Sequence, residues 1–92
     1  MLELEFSAQF KKDYKLAQKR CLDPNKLKEV IMQLQAQKSL AEKFYVHPLA
    51  DSRLYKGMRE CHVDPDWLLI YQINDNMLIL KLVRTGSHSD LF

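Results

Sequence analysis

Three histidines, an aspartate and an arginine crowd the second half of this 92-residue chain, and their spacing can bring them to one surface. His47 stands in a long connection, His62 in an alternating run, and His88 close to the C-terminus. Within Met58–Val63, residues Arg59, Cys61 and Val63 share one face while Met58, Glu60 and His62 share the other, because successive strand residues point to opposite sides. Cys61 and Val63 are the pair to bury, so His62 is expected on an open face of the sheet. Asp66 follows just past the end of that run, and Arg84 closes the last strand before Thr85-Gly86 turns the chain toward His88 and Phe92. If these strands pair in one antiparallel sheet, their ends converge on one uncovered, concave patch. Imidazole moves protons near neutral pH, and a guanidinium holds the charge that grows on phosphorus, so the set suits phosphodiester chemistry. The plainer readings stand beside it. A lone histidine is more often a surface or core residue, and Asp66 can simply close an Asx turn after Pro65. A zinc site built from His47, His62, His88 and an aspartate lacks the ligand spacing of structural zinc, so neither a metal nor a cofactor is assigned.

The elements that must position these groups follow from periodicity. Leu2, Leu4 and Phe6 alternate with Glu3 and Glu5, as a short half-buried strand does. Ser7 then offers a helix N-cap, and Phe10, Tyr14, Ala17 and Cys21 recur on one helical face. Asp23-Pro24 ends that helix and starts another, whose stripe is Leu27, Val30, Ile31 and Leu34. From Lys38 to Lys56 the periodicity lapses. Three strands are then expected: Met58–Val63, Trp67–Ile73 and Met77–Val83, with turns at Asp64-Pro65-Asp66 and Asn74-Asp75-Asn76. The order β-α-α-β-β-β predicts an α+β fold, a small antiparallel-dominated sheet with a helical hairpin on one face, as a single domain over residues 1–92.

Composition narrows the function classes. An apolar share of 47% is enough for a core, and no apolar run reaches the roughly 18 residues needed to span a bilayer. MLELEF alternates charge and bulk and reads as neither a signal nor a transit peptide. Two cysteines without CxxC spacing give no disulfide framework, so a cytoplasmic protein is expected. The net charge is only +2, yet Gln9–Lys28 holds seven cations against Asp13 and Asp23. Such a basic stripe suits a polyanion, and it is equally the composition of a solvated helix face.

Two runs carry a resemblance. Arg59-Glu60-Cys61-His62-Val63-Asp64-Pro65-Asp66-Trp67-Leu68-Leu69-Ile70-Tyr71 and Arg84-Thr85-Gly86-Ser87-His88-Ser89-Asp90-Leu91-Phe92 closely resemble the YafQ branch of the RelE/ParE toxins, found in bacterial type II toxin–antitoxin modules. The stretch Lys15–Arg20 and His47-Pro48-Leu49 belong to the same likeness, which covers nearly the whole chain. It implies a RelE-like fold and a ribosome-dependent endoribonuclease that cuts messenger RNA in the ribosomal A site without a metal, inhibiting translation and growth. Carried onto matching positions, it implies catalytic roles for His47, His62, Asp66, Arg84 and His88, with substrate contacts at Trp67 and Phe92; Arg59 is expected as a further substrate contact. His88 is the expected base and His62 or His47 the acid, with Asp66 orienting a histidine and Arg84 stabilising the phosphorane. Lys11, Lys12, Lys15, Lys19 and Arg20 gain a role as ribosomal RNA anchors. Partners implied are the ribosome, its messenger RNA and an antitoxin that wraps the basic surface. The free toxin is expected as a monomer, joined to its antitoxin as a hetero-oligomer and unconnected with any membrane. One departure is the segment Ala50–Lys56, two residues longer than the related pattern, which bears on where His47 sits and adds Arg53 and Lys56 as phosphate contacts.

Two rival readings share the fold. A ParE-like toxin binds a topoisomerase and lacks a histidine cluster, so His62, Asp66 and His88 argue against it. A catalytically silent member would keep the sheet as an RNA- or partner-binding surface, since reacting groups displaced by an ångström or so lose their chemistry.

Overall fold

The structure, a computed structural model, describes residues 1–37, 44–49, 53 and 55–92. Its elements are β1 (Glu3–Phe6), α1 (Ala8–Lys19), α2 (Pro24–Gln35), β2 (His47–Pro48), β3 (Arg59–Asp64), β4 (Trp67–Asn74), β5 (Ile79–Gly86) and α3 (His88–Leu91). The strands form one sheet in the order β1-β5-β4-β3-β2, with β1 parallel to β5 and every other pair antiparallel. This is the α+β order expected from the sequence, extended by the short elements β2 and α3. Among the described residues no helix is long and apolar enough to cross a membrane.

Local chemistry starts the helices where the sequence predicts. The Ser7 hydroxyl accepts the Phe10 amide at 2.9 Å and donates to the Val83 carbonyl at 2.6 Å, so one side chain caps α1 and ties it to β5. The Asp23 carboxylate accepts the Asn25 amide at 2.9 Å, and Pro24 opens α2. Phe10, Ala17, Leu27, Val30 and Leu34 from the helices then meet Cys61, Val63, Leu69, Tyr71, Leu80 and Leu82 from the sheet in the main core.

Several expectations need correction. β1 is a strand, but all four of its residues are exposed, with Leu4 at 37% and Phe6 at 44%; Leu2, just before it, takes the buried place. β1 lies at the sheet edge beside β5, and β1, α1 and α2 leave an apolar trough uncovered. Cys21 is exposed beyond the end of α1 with φ at +60°, because the chain has already left the helix to reach Asp23. The last strand starts at Ile79 and runs on to Gly86; Met77 and Leu78 are exposed in the turn, with Leu78 at φ +55°. Nor is the second sheet face simply open. Tyr55, Leu68, Ile70 and Leu91 form a smaller core there, with Leu49, Met58 and Val83 against it. Of the Lys38–Lys56 connection, residues 38–43, 50–52 and 54 lie outside the described set, and with them most of the length departure.

Candidate active site

Strand register builds the site. His47 pairs with Glu60, Glu60 with Ile70 and Ile70 with Arg84, which makes one row across four strands. The neighbouring row is His62, Leu68 and Gly86. Both rows lie on the face of the smaller core, since Ile70 and Leu68 belong to it. With neighbouring strands about 4.8 Å apart, the His62 and Gly86 backbones stand about 10 Å apart, and His88 begins α3 two residues further on. Two irregularities re-aim the chain here. Val83 is the extra residue where Ile70 pairs with Arg84 but Tyr71 with Leu82, and Val63 is the extra residue between His62 and Asp64. Bulges of this kind bend a strand and redirect its side chains.

On the β2–β3 side, Glu60 is 5% exposed and its Oε1 lies 3.3 Å from Nε2 of His47 and 3.3 Å from Nε2 of His62. The Tyr45 ring sits 5.4 Å from that of His62. His47 is thus placed by backbone pairing of β2 with β3, with the Leu49 amide bonded to the Met58 carbonyl at 2.9 Å just beyond. Ligand atoms of His47, Glu60 and His62 all lie within 4.8 Å of one another. Two imidazole nitrogens and a carboxylate are donors that fit a divalent transition ion. His88 is not in this set, so the cluster differs from the three-histidine arrangement weighed on the sequence.

On the β5–α3 side, Arg84 is gripped by a helix residue. Its Nε donates to Asp13 Oδ2 and its Nη2 to Asp13 Oδ1, each at 3.0 Å. Asp13, 8% exposed, also accepts the Thr85 amide at 3.3 Å and Gln9 Nε2 at 3.1 Å. The Asp13 hydrogen bonds chiefly, helped by Tyr55, hold the Arg84 pKa above its ordinary value against the opposing effect of burial. α3 is capped reciprocally by Ser87 and Asp90, and Arg20 Nη1 donates to Asp90 Oδ2 at 2.6 Å. That Arg20 bond, first, and the Ser87 bonds keep the Asp90 carboxyl well below the usual carboxylate range. The exposed His88 ring stacks on Phe92 at 4.9 Å, Phe92 meets Tyr55 edge-on at 5.4 Å, and the Tyr55 hydroxyl donates to the Leu91 carbonyl at 2.8 Å.

Of the residues picked from the sequence, His47, His62, Arg84, His88 and Phe92 fall on this side of the sheet, and Asp66 is exposed in the β3–β4 turn beside it. Two others are placed elsewhere. Trp67 is 2% exposed in the main core, its indole N–H donating to Thr85 Oγ1 at 2.9 Å, so it has no free face for a base. Arg59 pairs with Tyr71, a main-core residue, and belongs to the opposite face from His62. Lys11, Lys12, Lys15 and Lys19 are exposed on α1 as a basic stripe requires, whereas Arg20 is engaged with Asp90. Sequence reasoning missed Glu60, although it shares a strand face with His62. It also missed Asp13, whose signal was a carboxylate set three residues after Phe10 and four before Ala17, inside the apolar stripe.

Comparison with known proteins agrees with this architecture. Residues 2–92 match the family described as "Bacterial toxin of type II toxin-antitoxin system, YafQ". An mRNA interferase toxin YafQ of Escherichia coli (strain B / BL21-DE3) is 45% identical over 91 residues, 98% of this chain and 95% of its own length. A metal-bound toxin from Helicobacter pylori superposes with a TM-score of 0.92 at 44% identity, with all of both chains covered. The E. coli DinJ–YafQ complex gives a TM-score of 0.88 at 45% identity, covering 100% of this chain and 99% of that one. Sharing sequence and fold with them over essentially its whole length, the chain belongs to the YafQ family of bacterial toxins from type II toxin–antitoxin systems.

Proposed function

We infer that this chain is the toxin of a type II toxin–antitoxin module and acts as an endoribonuclease on messenger RNA, an mRNA interferase, halting translation by cutting the message in the ribosomal A site. The observation that supports the reading most is the strand register, which puts His47, Glu60 and Arg84 in one row and His62 and Gly86 in the next, with His88 opening α3 two residues beyond Gly86. The 2′-hydroxyl attacks the adjacent phosphorus as its proton leaves to His88. The P–O5′ bond breaks as His62 or His47 returns a proton to the departing oxygen, leaving a 2′,3′-cyclic phosphate and a free 5′-hydroxyl. Arg84 faces the charge on the phosphorane, and Phe92, stacked on His88, offers a ring to a base. Asp66, at the rim, orients a histidine or shares the proton work. His47 and His62 share the Glu60 carboxylate, which keeps the two candidate acids close together.

No step calls for a metal. His47, Glu60 and His62 could hold a divalent ion, and a Helicobacter pylori relative is metal-bound; with their lone pairs so engaged neither imidazole could move a proton. Chelation should therefore leave cleavage intact or speed it.

The antitoxin is the second partner, as DinJ is for the E. coli toxin. The basic residues Lys11, Lys15 and Lys28 line the trough with Leu4, Phe6 and Met32, an arrangement that suits an acidic, amphipathic segment. With the ribosome as its target, the toxin works in the cytoplasm as one domain. The test is induction in bacteria with primer-extension mapping of transcripts, beside a His88→Ala control. Translation-dependent cuts inside reading frames, reduced about 10²–10⁴-fold in the control, are the expected result. Growth arrest without cuts would instead support a topoisomerase-binding toxin.

A further inference from the structure

The two ion pairs between helix α1 and the β5–α3 side of the site are built alike. Asp13 and Arg20 are seven residues apart, two helical turns, and so differ by only about 20° around the helix. Each reaches a partner some 70 positions away in sequence: Asp13 takes Arg84, and Arg20 takes Asp90. We propose that α1 sets the geometry of catalysis through these two positioning residues, Asp13 orienting the Arg84 guanidinium and Arg20 seating the turn that carries His88 and Phe92. The proposal rests on the endoribonuclease reading above and adds to it two residues that touch neither substrate nor reacting atoms.

The case for Asp13 is its saturation. A carboxylate offers about four acceptor positions. Here they meet four donors: Arg84 Nε, Arg84 Nη2, the Thr85 amide and Gln9 Nε2. A surface ion pair leaves an arginine free to swing, whereas this fork fixes the guanidinium plane, because two parallel bonds admit only one orientation. The Val83 bulge lies directly before Arg84, so backbone and side chain are both set at this point. The donors of Arg84 that Asp13 and Tyr55 do not engage are those left for a phosphate.

For Arg20 the case is the position of its partner. Asp90 holds Ser87 in the capping box and so shapes the single turn that starts with His88. A four-residue helix has little stability of its own. Beyond that box, Leu91 anchors the turn in the smaller core and Tyr55 holds the Leu91 carbonyl, while Arg20 bonds Asp90. Arg20 therefore acts on His88 through Asp90, in place of the direct RNA contact expected from its charge.

The decisive experiment is a pair of double-variant cycles on purified toxin, read as single-turnover cleavage of ribosome-bound message with ribosome affinity measured separately. Asp13→Asn should lower the cleavage rate about 10²-fold with ribosome affinity unchanged, the scale of loss that follows a displaced catalytic group. In an Arg84→Ala background the same change should cost nothing further, since Asp13 acts only through Arg84. Should Asp13→Asn fail to fold, Asp13→Glu keeps the charge, moves the fork by one methylene and should show the same rate loss. Arg20→Ala should slow cleavage in the wild type and not in an Asp90→Asn background, again with affinity and its salt dependence unchanged. Equal losses in both backgrounds would overturn the proposal, as would an Arg20→Ala variant that binds ribosomes weakly but cuts at the normal rate once bound. A wild-type protein that does not cut at all overturns the function reading itself, which separates the two failures.

Discussion

The two sides of the site are held by different forces. On the β2–β3 side, His47, Glu60 and His62 are placed by backbone hydrogen bonds of a sheet, and Glu60 is buried among its partners. On the β5–α3 side, Arg84 shares that sheet register but its guanidinium is oriented by Asp13 of α1, and His88 depends on one capped turn tied to α1 through Asp90. Backbone pairing is indifferent to charge and survives most substitutions, while the exposed Arg20–Asp90 pair is weak and sensitive to acid and salt; the Asp13–Arg84 fork is sheltered by the burial of Asp13. The first side is rigid by construction. The second is adjustable at the α3 turn, which carries His88, the residue proposed to take the first proton.

The largest effect should come from striking the rigid side at its one shared group. Glu60→Ala removes the acceptor common to both histidines and should cut the cleavage rate by about 10²-fold while the sheet stays formed. An unchanged rate in single-turnover assays would mean that the pairing of β2 with β3 alone suffices to place the rings. Next in size, Trp67→Phe leaves Thr85 Oγ1 without its indole donor and should cost about 1–2 kcal/mol of stability in urea unfolding. Ribosome-bound cleavage by the folded variant should stay near normal. A strong loss of activity at full stability would return Trp67 to the substrate.

Acid should separate the two sides. The Asp90 carboxyl is held below its ordinary range in the fold, so its contribution is complete above the unfolded value of about 3.9 and is lost as pH falls from there toward the folded value. Amide exchange at Leu91 and Phe92 should therefore quicken below about pH 4, while exchange at Cys61 and His62 in β3 holds. Uniform loosening of both regions would erase the distinction. The smallest effect is a reporter. Cys61 lies between Glu60 and His62 and faces the main core, where burial first, and the Glu60 carboxylate second, push its thiol up to about 12. An alkylating reagent at neutral pH should modify the exposed Cys21 and spare Cys61 until the chain unfolds. The Cys61 contribution to stability is whole below the unfolded thiol value and declines as pH rises through it toward about 12. Arg20→Ala should not speed Cys61 labelling, because it loosens only the other side.

How much of this was legible in the sequence differs residue by residue. Ser7, Asp23 and Pro24 announced their helices because capping is local chemistry. Strand alternation put Cys61 and His62 on opposite faces, and the register bears that out. Alternation gives a face but not a depth, so Leu4 and Phe6 were expected to be covered and are not. Met77 and Leu78 look like strand residues by type, yet the chain spends them on the reversal into β5. Trp67 continued an apolar run whose inward side only the packed helices define.

By itself the sequence determined the element order, the helix starts, the family likeness and the short set of residues able to move a proton or hold a phosphate. Those depend on contacts between near neighbours in the chain, or on residue types that few functions require. Only the tertiary structure decided which of them meet: that Glu60 lies between two histidines, that Trp67 turns inward, and that α1 grips Arg84 and Asp90 from 71 and 70 positions away. An ion pair between such distant residues leaves no local pattern, because it forms only after the sheet and helix have packed and fixed the distance between them.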